Sequence, residues 1–231
     1  MSVTEDNTRD MLAKHHRDGA WFAKLMIETY PDRFNDEFWS VWQELMTPAF
    51  GDAPTVLDLG SGPAMFIKDL IKRYPGTQAI GVECAAYMLD AMGDLPKAAS
   101  VIDADLQDPT LPLADNSVDG VIASVVLHEM NQPIRSFKEI HRCLKPGGRF
   151  YILDWVRAPL SQYIAAESNE TEVFGNEISV DELDELFVHF IEHNRFSQDD
   201  LAYMLEHTGY RLIDNTPLRE GRFARLIAEK I

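Results

Sequence analysis

The stretch Thr55 to Phe66, "TVLDLGSGPAMF", decides the fold. An apolar run carrying Asp58 is followed at once by Gly60-x-Gly62. Such a run before a glycine turn reads as a buried strand, and the amphipathic Ala64–Arg73 after it reads as a helix. The glycines permit a tight turn and let a ligand approach bare backbone at the carboxyl edge of a parallel sheet. Dinucleotide sites use a similar turn, but two details differ here. Met65 stands where the third glycine of G-x-G-x-x-G would be, and the Asp58 carboxylate would repel a pyrophosphate. An acid at that point suits a ligand that is positively charged there.

Downstream, short apolar runs at Ala79–Val82, Val101–Ile102, Val118–Ser124 and Phe150–Leu153 alternate with amphipathic stretches at Ala85–Met92 and Ile134–Leu144. The alternation predicts a parallel sheet covered by helices on both faces. In "LKPGGRF", Pro146, Gly147 and Gly148 are expected to end a helix and turn the chain into Phe150. After Asp154 the rhythm breaks. Residues 156–196 read as an acidic, mostly helical insertion, with eleven Asp/Glu and one Arg between Glu167 and Asp200. Ser197 is a candidate N-cap with Asp200 three residues on, and Gly209 a candidate stop. Strands near Tyr210–Asn215 and Phe223–Ala228 would complete the sheet. Upstream, residues 8–50 read as helices, with Phe38, Trp39, Trp42, Leu45 and Met46 on one face, a stripe better suited to core than to a substrate box. One domain is expected: an N-terminal helical cap (1–50), a ligand-binding core (54–155), the insertion (156–196) and a C-terminal helix with strands (197–231).

Composition narrows the function. The chain has 231 residues, 45% of them apolar, and a net charge of -17. Gripping nucleic acid or an anionic membrane requires clustered Lys/Arg, which is lacking. The apolar runs fall far short of the roughly 18 residues that a membrane helix needs. The start, "MSVTEDNTRD", has no apolar signal core, and Cys84 and Cys143 suggest no disulfide framework. A cytoplasmic protein is the expectation.

Two further acids fit a cationic nucleoside. Glu83 ends the second strand, 21 residues after Gly62, where an acid can accept both ribose hydroxyls. Asp105, after the third strand, could accept from an adenine amino group, with the Leu106 N–H reaching a ring nitrogen.

Taken in order, "VLDLGSGPA", "GVECAAYML", "DADLQDPTLPLADNSVDGV", "SVVLHEM" and "FKEIHRCLKPGGRFYILD" resemble the successive motifs of class I S-adenosylmethionine-dependent methyltransferases. The resemblance runs from Thr55 to Asp154 and more loosely through "RFSQDDLAYMLEHTGY", which is similar to the tail of small-molecule methyltransferases. It implies an α/β, Rossmann-like, mostly parallel seven-stranded sheet of order 3-2-1-4-5-7-6 with strand 7 antiparallel, capped by the N-terminal helices and the insertion. It implies S-adenosylmethionine as cofactor, with Asp58, Gly60 and Gly62 along its methionine part and Glu83 on the ribose. Cys84 and Met88 would pack near the adenine, Asp105 and Leu106 would read its edge, and Ser124 would sit under the methionine moiety. One departure is an apparent insertion of "QDP" before Leu111-Pro112, which leaves Asp103 as a competitor for Asp105. Asp105 is preferred because Val101-Ile102 end the strand two residues earlier.

His128 directly follows strand 4 and is the candidate general base; packing or hydrogen bonding is the competing reading, favoured because displacement at a sulfonium depends mainly on positioning. His189 and His193 invite a metal reading, but no third ligand is evident and no metal is expected. The His15-His16 pair is uninformative. The expected activity is methyl transfer to a small organic acceptor by in-line displacement. "LHEM" lacks the Asn/Asp-Pro-Pro-aromatic pattern with which methyltransferases grip an amino group on a base. Two alternatives stay open: a non-catalytic cofactor-binding protein, and a nicotinamide-dependent oxidoreductase. A homodimer is compatible with the sequence, which does not fix the oligomeric state.

Overall fold

The opening stretch folds as expected: Thr55–Leu59 is strand β1, buried from Val56 onward, and Met65–Arg73 is a helix. The computed structural model describes residues 8–13, 16, 18–107, 109–159, 161–162 and 196–231. The sheet adds β2 (Gln78–Glu83), β3 (Ala99–Asp103), β4 (Val118–Ser124), β5 (Leu144–Trp155), β6 (Tyr210–Leu218) and β7 (Phe223–Lys230). Its order is β3-β2-β1-β4-β5-β7-β6, with β1 to β5 parallel and β7 antiparallel to both neighbours. The order reverses at β1, so the helices that follow β1 and β4 lie on opposite faces of the sheet and leave a crevice at its carboxyl edge.

Helices α1 (Gly19–Glu28), α2 (Tyr30–Arg33), α3 (Asp36–Leu45), α4 (Met65–Arg73), α5 (Ala86–Ala91), α6 (Ile134–Cys143) and α7 (Gln198–His207) cover the sheet. The period-2 alternation of the strands divides the core. Leu57 and Leu59 join Phe137, Ile140, Leu201 and Leu205 of α6 and α7 on one face. Val56 joins Phe38, Trp39 and Trp42 of α3 and Phe66, Ile67 and Leu70 of α4 on the other. The aromatic stripe is therefore core, with Trp42 fully buried. Asn35 starts α3 by accepting from the Phe38 N–H at 3.0 Å. Ser197 and Asp200 form a reciprocal capping box at the start of α7, and Gly209, at φ +96°, follows its end.

Two boundaries differ from the sequence reading. Helix α6 does end before the Pro-Gly-Gly, but β5 already starts at Leu144. The pairing jumps from Val118 with Leu144 to Gly120 with Arg149, a bulge that absorbs the Pro-Gly-Gly. A Cβ at Gly148 would lie 2.9 Å from the Asp119 carbonyl oxygen, so this crossing needs glycine. β3 is longer than its apolar pair because backbone pairing continues to Asp103 opposite Glu83. Most of the expected acidic insertion, including His189 and His193, lies outside the described residues.

Candidate active site

The turns after β1 to β4 meet at the carboxyl edge of the sheet and line one cavity. The Gly60 and Ser61 N–H groups both donate to the Val82 carbonyl, at 2.8 and 3.1 Å, which folds the glycine turn onto β2. Gly60 has φ +64°, and a Cβ there would lie 2.5 Å from Val126 Cγ2, so the turns after β1 and β4 approach as closely as they do only over a bare backbone.

Glu83 ties this turn down. One carboxylate oxygen accepts from the Cys84 and Ala85 N–H groups, each at 2.8 Å, and the other from the Gly62 N–H at 2.9 Å. A carboxylate offers about four lone-pair positions, so one stays open toward the cavity. Burial raises the Glu83 pKa, opposed by the three amide bonds. Asp58 is held well above the usual carboxylate range by burial and then by the charge of Glu83. Neither acid has an ion-pair partner among the described residues. Such a pair is disfavoured as charged groups until a cation arrives, which is the electrostatic complement of a positively charged ligand.

Of the two competing acids, Asp105 lines the cavity and Asp103 does not. Asp103 is the last residue of β3, its side chain is 52% exposed, and it pairs with Arg9 at 2.5 Å. Asp105 is buried and lines the cavity, accepting from Thr8 Oγ1 at 2.7 Å and from the Gln107 N–H at 2.8 Å. Cys84, Met88, Leu106, Ser124 and His128 line it as well. Burial, and next the charge of Glu83, push the Cys84 thiol up to about 12, so it stays a neutral packing group at ordinary pH. Ser61 Oγ and Ser124 Oγ are buried with no hydrogen-bond partner among the described residues, and both serines line the cavity.

The turn after β4 is strained. Val125 has φ +56°, a conformation that costs a β-branched residue about 1–3 kcal/mol. Asp154, at the end of β5, holds it. One oxygen accepts from the Val126 and Leu127 N–H groups at 2.9 and 2.6 Å, and the other lies 2.6 Å from His128 Nδ1 and accepts from the Trp155 N–H at 2.7 Å. His128 Nε2 is 3.3 Å from Glu129 Oε1, which is 3.5 Å from His16 Nε2, and His16 Nδ1 is hydrogen-bonded to the Tyr87 hydroxyl. A polar chain thus runs from the floor of the cavity to the N-terminal segment above it. Helix α1 packs over the same region through Ala23 against Ala85 and Met88. Sequence reasoning missed Asp154, Glu129, His16 and Tyr87. The pairing of Ser124 with Leu153 is the signal for Asp154, since adjacent parallel strands end side by side.

Burial alone would lower the His128 pKa, but the Asp154 and Glu129 carboxylates raise it from 6.5 to about 9. The two carboxylates favour the protonated form of His128. Because the folded value lies above the unfolded one, its stabilising contribution is complete below pH 6.5 and is lost as pH rises through 9. The melting temperature of the wild type should fall across that window, and that of His128→Gln should fall less. Parallel pH profiles for the two would contradict the assignment.

A family model described as "Methyltransferase domain" matches residues 57–152, the segment that supplies every turn of this cavity. That match identifies residues 57–152 as a methyltransferase domain, and the strand order above is that of the class I S-adenosylmethionine-dependent methyltransferase fold. Among curated relatives, the biotin biosynthesis bifunctional protein BioHC of Cellvibrio japonicus is 38% identical over 106 residues, covering 46% of the chain and 20% of the relative. A demethylmenaquinone methyltransferase of Chlamydia trachomatis is 27% identical over 118 residues, 50% of the chain and 51% of the relative. The chain thus spans only a fifth to a half of those relatives' length. Its fold is also that of a SAM-dependent methyltransferase from Aquifex aeolicus, at TM-score 0.63 and 20% identity over 93% of this chain and 99% of that one. Among the described residues no group of three or more His, Cys, Asp or Glu is placed to hold a metal ion, and no helix is long and apolar enough to cross a membrane.

Proposed function

We propose that the protein transfers a methyl group from S-adenosylmethionine to a small organic acceptor by in-line displacement. The observation that carries this reading is the buried pair Asp58 and Glu83 beside the glycine turn, with no Lys or Arg paired to either among the described residues. When bound, S-adenosylmethionine supplies an electrophilic methyl carbon on a sulfonium, which an acceptor lone pair attacks as the carbon–sulfur pair returns to sulfur. Asp58 and the backbone of Gly60 and Gly62 hold the methionine part, with Ser124 beneath it. Glu83, pre-oriented by three amides, takes the ribose. Asp105 and the Leu106 N–H read the adenine edge, and Cys84 and Met88 flank the ring. His128, held between two carboxylates that favour its protonated form, positions the turn after β4 and removes no proton. The chain's own contribution to rate is then geometry and exclusion of water.

A small acceptor is supported by the net charge of -17 and by relatives named for biotin biosynthesis and demethylmenaquinone. The test is a panel of small organic acceptors with methyl-labelled S-adenosylmethionine. Label should move to an acceptor, with release of S-adenosylhomocysteine that depends on that acceptor. Tight cofactor binding with no transfer to any acceptor would favour a non-catalytic binding protein instead.

A further inference from the structure

Methyl transfer to a hydroxyl releases a proton as it discharges the sulfonium. His128, held toward its protonated form by two carboxylates, is not the group to take it. The wall of the same cavity carries another array, an acid, an imidazole and a hydroxyl: Glu129, His16 and Tyr87. The Tyr87 hydroxyl is hydrogen-bonded to His16 Nδ1. His16 Nε2 stands 3.5 Å from Glu129 Oε1, and the two side chains are only 9% and 15% exposed. An ionised carboxylate accepts and does not donate, so it draws the Nε2–H toward itself and leaves the Nδ1 lone pair for the Tyr87 proton. A hydroxyl on a base, with the base oriented by a third group, is the arrangement that prepares a hydroxyl for proton transfer.

Packing fixes the array in place. The His16 ring stacks on Phe22, with centroids 3.7 Å apart and planes 11° apart, and meets the Tyr87 ring edge-on at 5.8 Å. At Gly19, where α1 begins, a Cβ would lie 2.5 Å from Tyr87 Cγ, so α1 starts directly against the Tyr87 ring only because no side chain stands there. Burial, followed by the charges of Glu83 and Glu129, raises the Tyr87 pKa. Tyr87 is therefore a neutral phenol at ordinary pH and takes up a proton only as it hands its own on. Glu129 Oε1 also lies 3.3 Å from His128 Nε2. With His128 protonated, Asp154, His128 and Glu129 together carry one negative charge, and it stands beside His16.

We propose that Tyr87 is a catalytic residue that takes the proton of a hydroxyl-bearing acceptor and passes its own to His16, with Glu129 as the positioning residue of the relay. The proposal rests on the methyltransferase reading. The acceptor oxygen's lone pair forms the bond to the methyl carbon, and the carbon–sulfur pair returns to sulfur. The acceptor O–H proton moves to Tyr87 Oη, the Tyr87 O–H proton moves to His16 Nδ1, and the imidazolium so formed faces Glu129. One positive charge is lost at sulfur and one appears on His16, so the net charge of the buried site is unchanged and no uncompensated charge is left in it. The competing role, a hydrogen bond that only pins the N-terminal segment over the cavity, would move no proton.

The test uses the full chain and two probes: 4-nitrophenol, whose ionised form absorbs visible light, and 4-nitroanisole, which has nearly the same shape and no proton to give. Calorimetry first measures S-adenosylhomocysteine binding, then the binding of each probe with and without it. Absorbance then reads how much of the bound 4-nitrophenol is ionised, at a pH where the free probe is mostly neutral. The ratio of ionised to neutral probe should be roughly tenfold or more higher when bound than when free, the equivalent of one pKa unit. Tyr87→Phe and His16→Gln should each return that ratio to the free value while 4-nitroanisole still binds, and Glu129→Gln should retain part of the rise. A bound probe that ionises no more than the free one, ionisation that survives in either Tyr87→Phe or His16→Gln, or failure of both probes to bind would overturn the proposal. Failure to bind S-adenosylhomocysteine would instead sink the methyltransferase reading, and the absorbance of the probe on the unliganded protein would still report the relay.

Discussion

Glu83→Ala is expected to weaken S-adenosylhomocysteine binding by about 2–3 kcal/mol, roughly a 30- to 150-fold loss. Two effects combine. The ribose loses a charge-assisted acceptor, and the Gly62, Cys84 and Ala85 N–H groups lose theirs. The glycine turn that should hold the methionine part then loses one of its three bonds to β2, keeping those of the Gly60 and Ser61 N–H groups to Val82. A drop in melting temperature should accompany the loss of affinity, because unsatisfied buried amides destabilise the unliganded protein too. Asp105→Ala should cost less, and Asp103→Ala almost nothing, since Asp103 faces solvent with Arg9. Calorimetry on the three variants orders them; an Asp103→Ala variant worse than Asp105→Ala would show that the adenine loop is assigned in the wrong register.

The second large effect is on stability. Asp154 is fully buried and accepts from three backbone N–H groups besides facing His128. Asp154→Ala strands buried His128 and those amides, and removing one partner of such a pair typically costs about 3–5 kcal/mol. The turn carrying Val125 at positive φ would also lose what fixes it. Asp154→Asn, which keeps one acceptor oxygen, should cost less. In a double-mutant cycle with His128→Gln the losses should be strongly non-additive. Denaturant unfolding measures each; an Asp154→Ala variant within about 1 kcal/mol of wild type would remove Asp154 from its positioning role.

The contrast between Glu83 and Asp154 shows which parts of the site were legible in the sequence. Asp58, Gly60, Gly62, Glu83, Asp105 and Ser124 all line the cavity. Each lies at or next to the end of a strand whose apolar run announces it, and a parallel sheet brings such ends to one edge. Asp154 was passed over because its partners are set by the pairing of β4 with β5, 26 residues away for His128. His16 comes from the N-terminal segment before α1, whose packing over the sheet has no local signature. Val125 adopts a backbone conformation against its own preference, which only tertiary bonds can enforce. The Pro-Gly-Gly of β5 misled for the same reason: it signals a turn, and here the turn is a bulge inside a strand pair.

The central claim is that the acidic, glycine-lined cavity takes a sulfonium nucleoside. Its most direct test is a calorimetric titration of the unmodified protein with S-adenosylmethionine and S-adenosylhomocysteine, beside the same titration with a nicotinamide dinucleotide. Saturable binding of the first two and none of the third is the predicted result. Binding of the dinucleotide alone, which would place a pyrophosphate against Asp58, would contradict it.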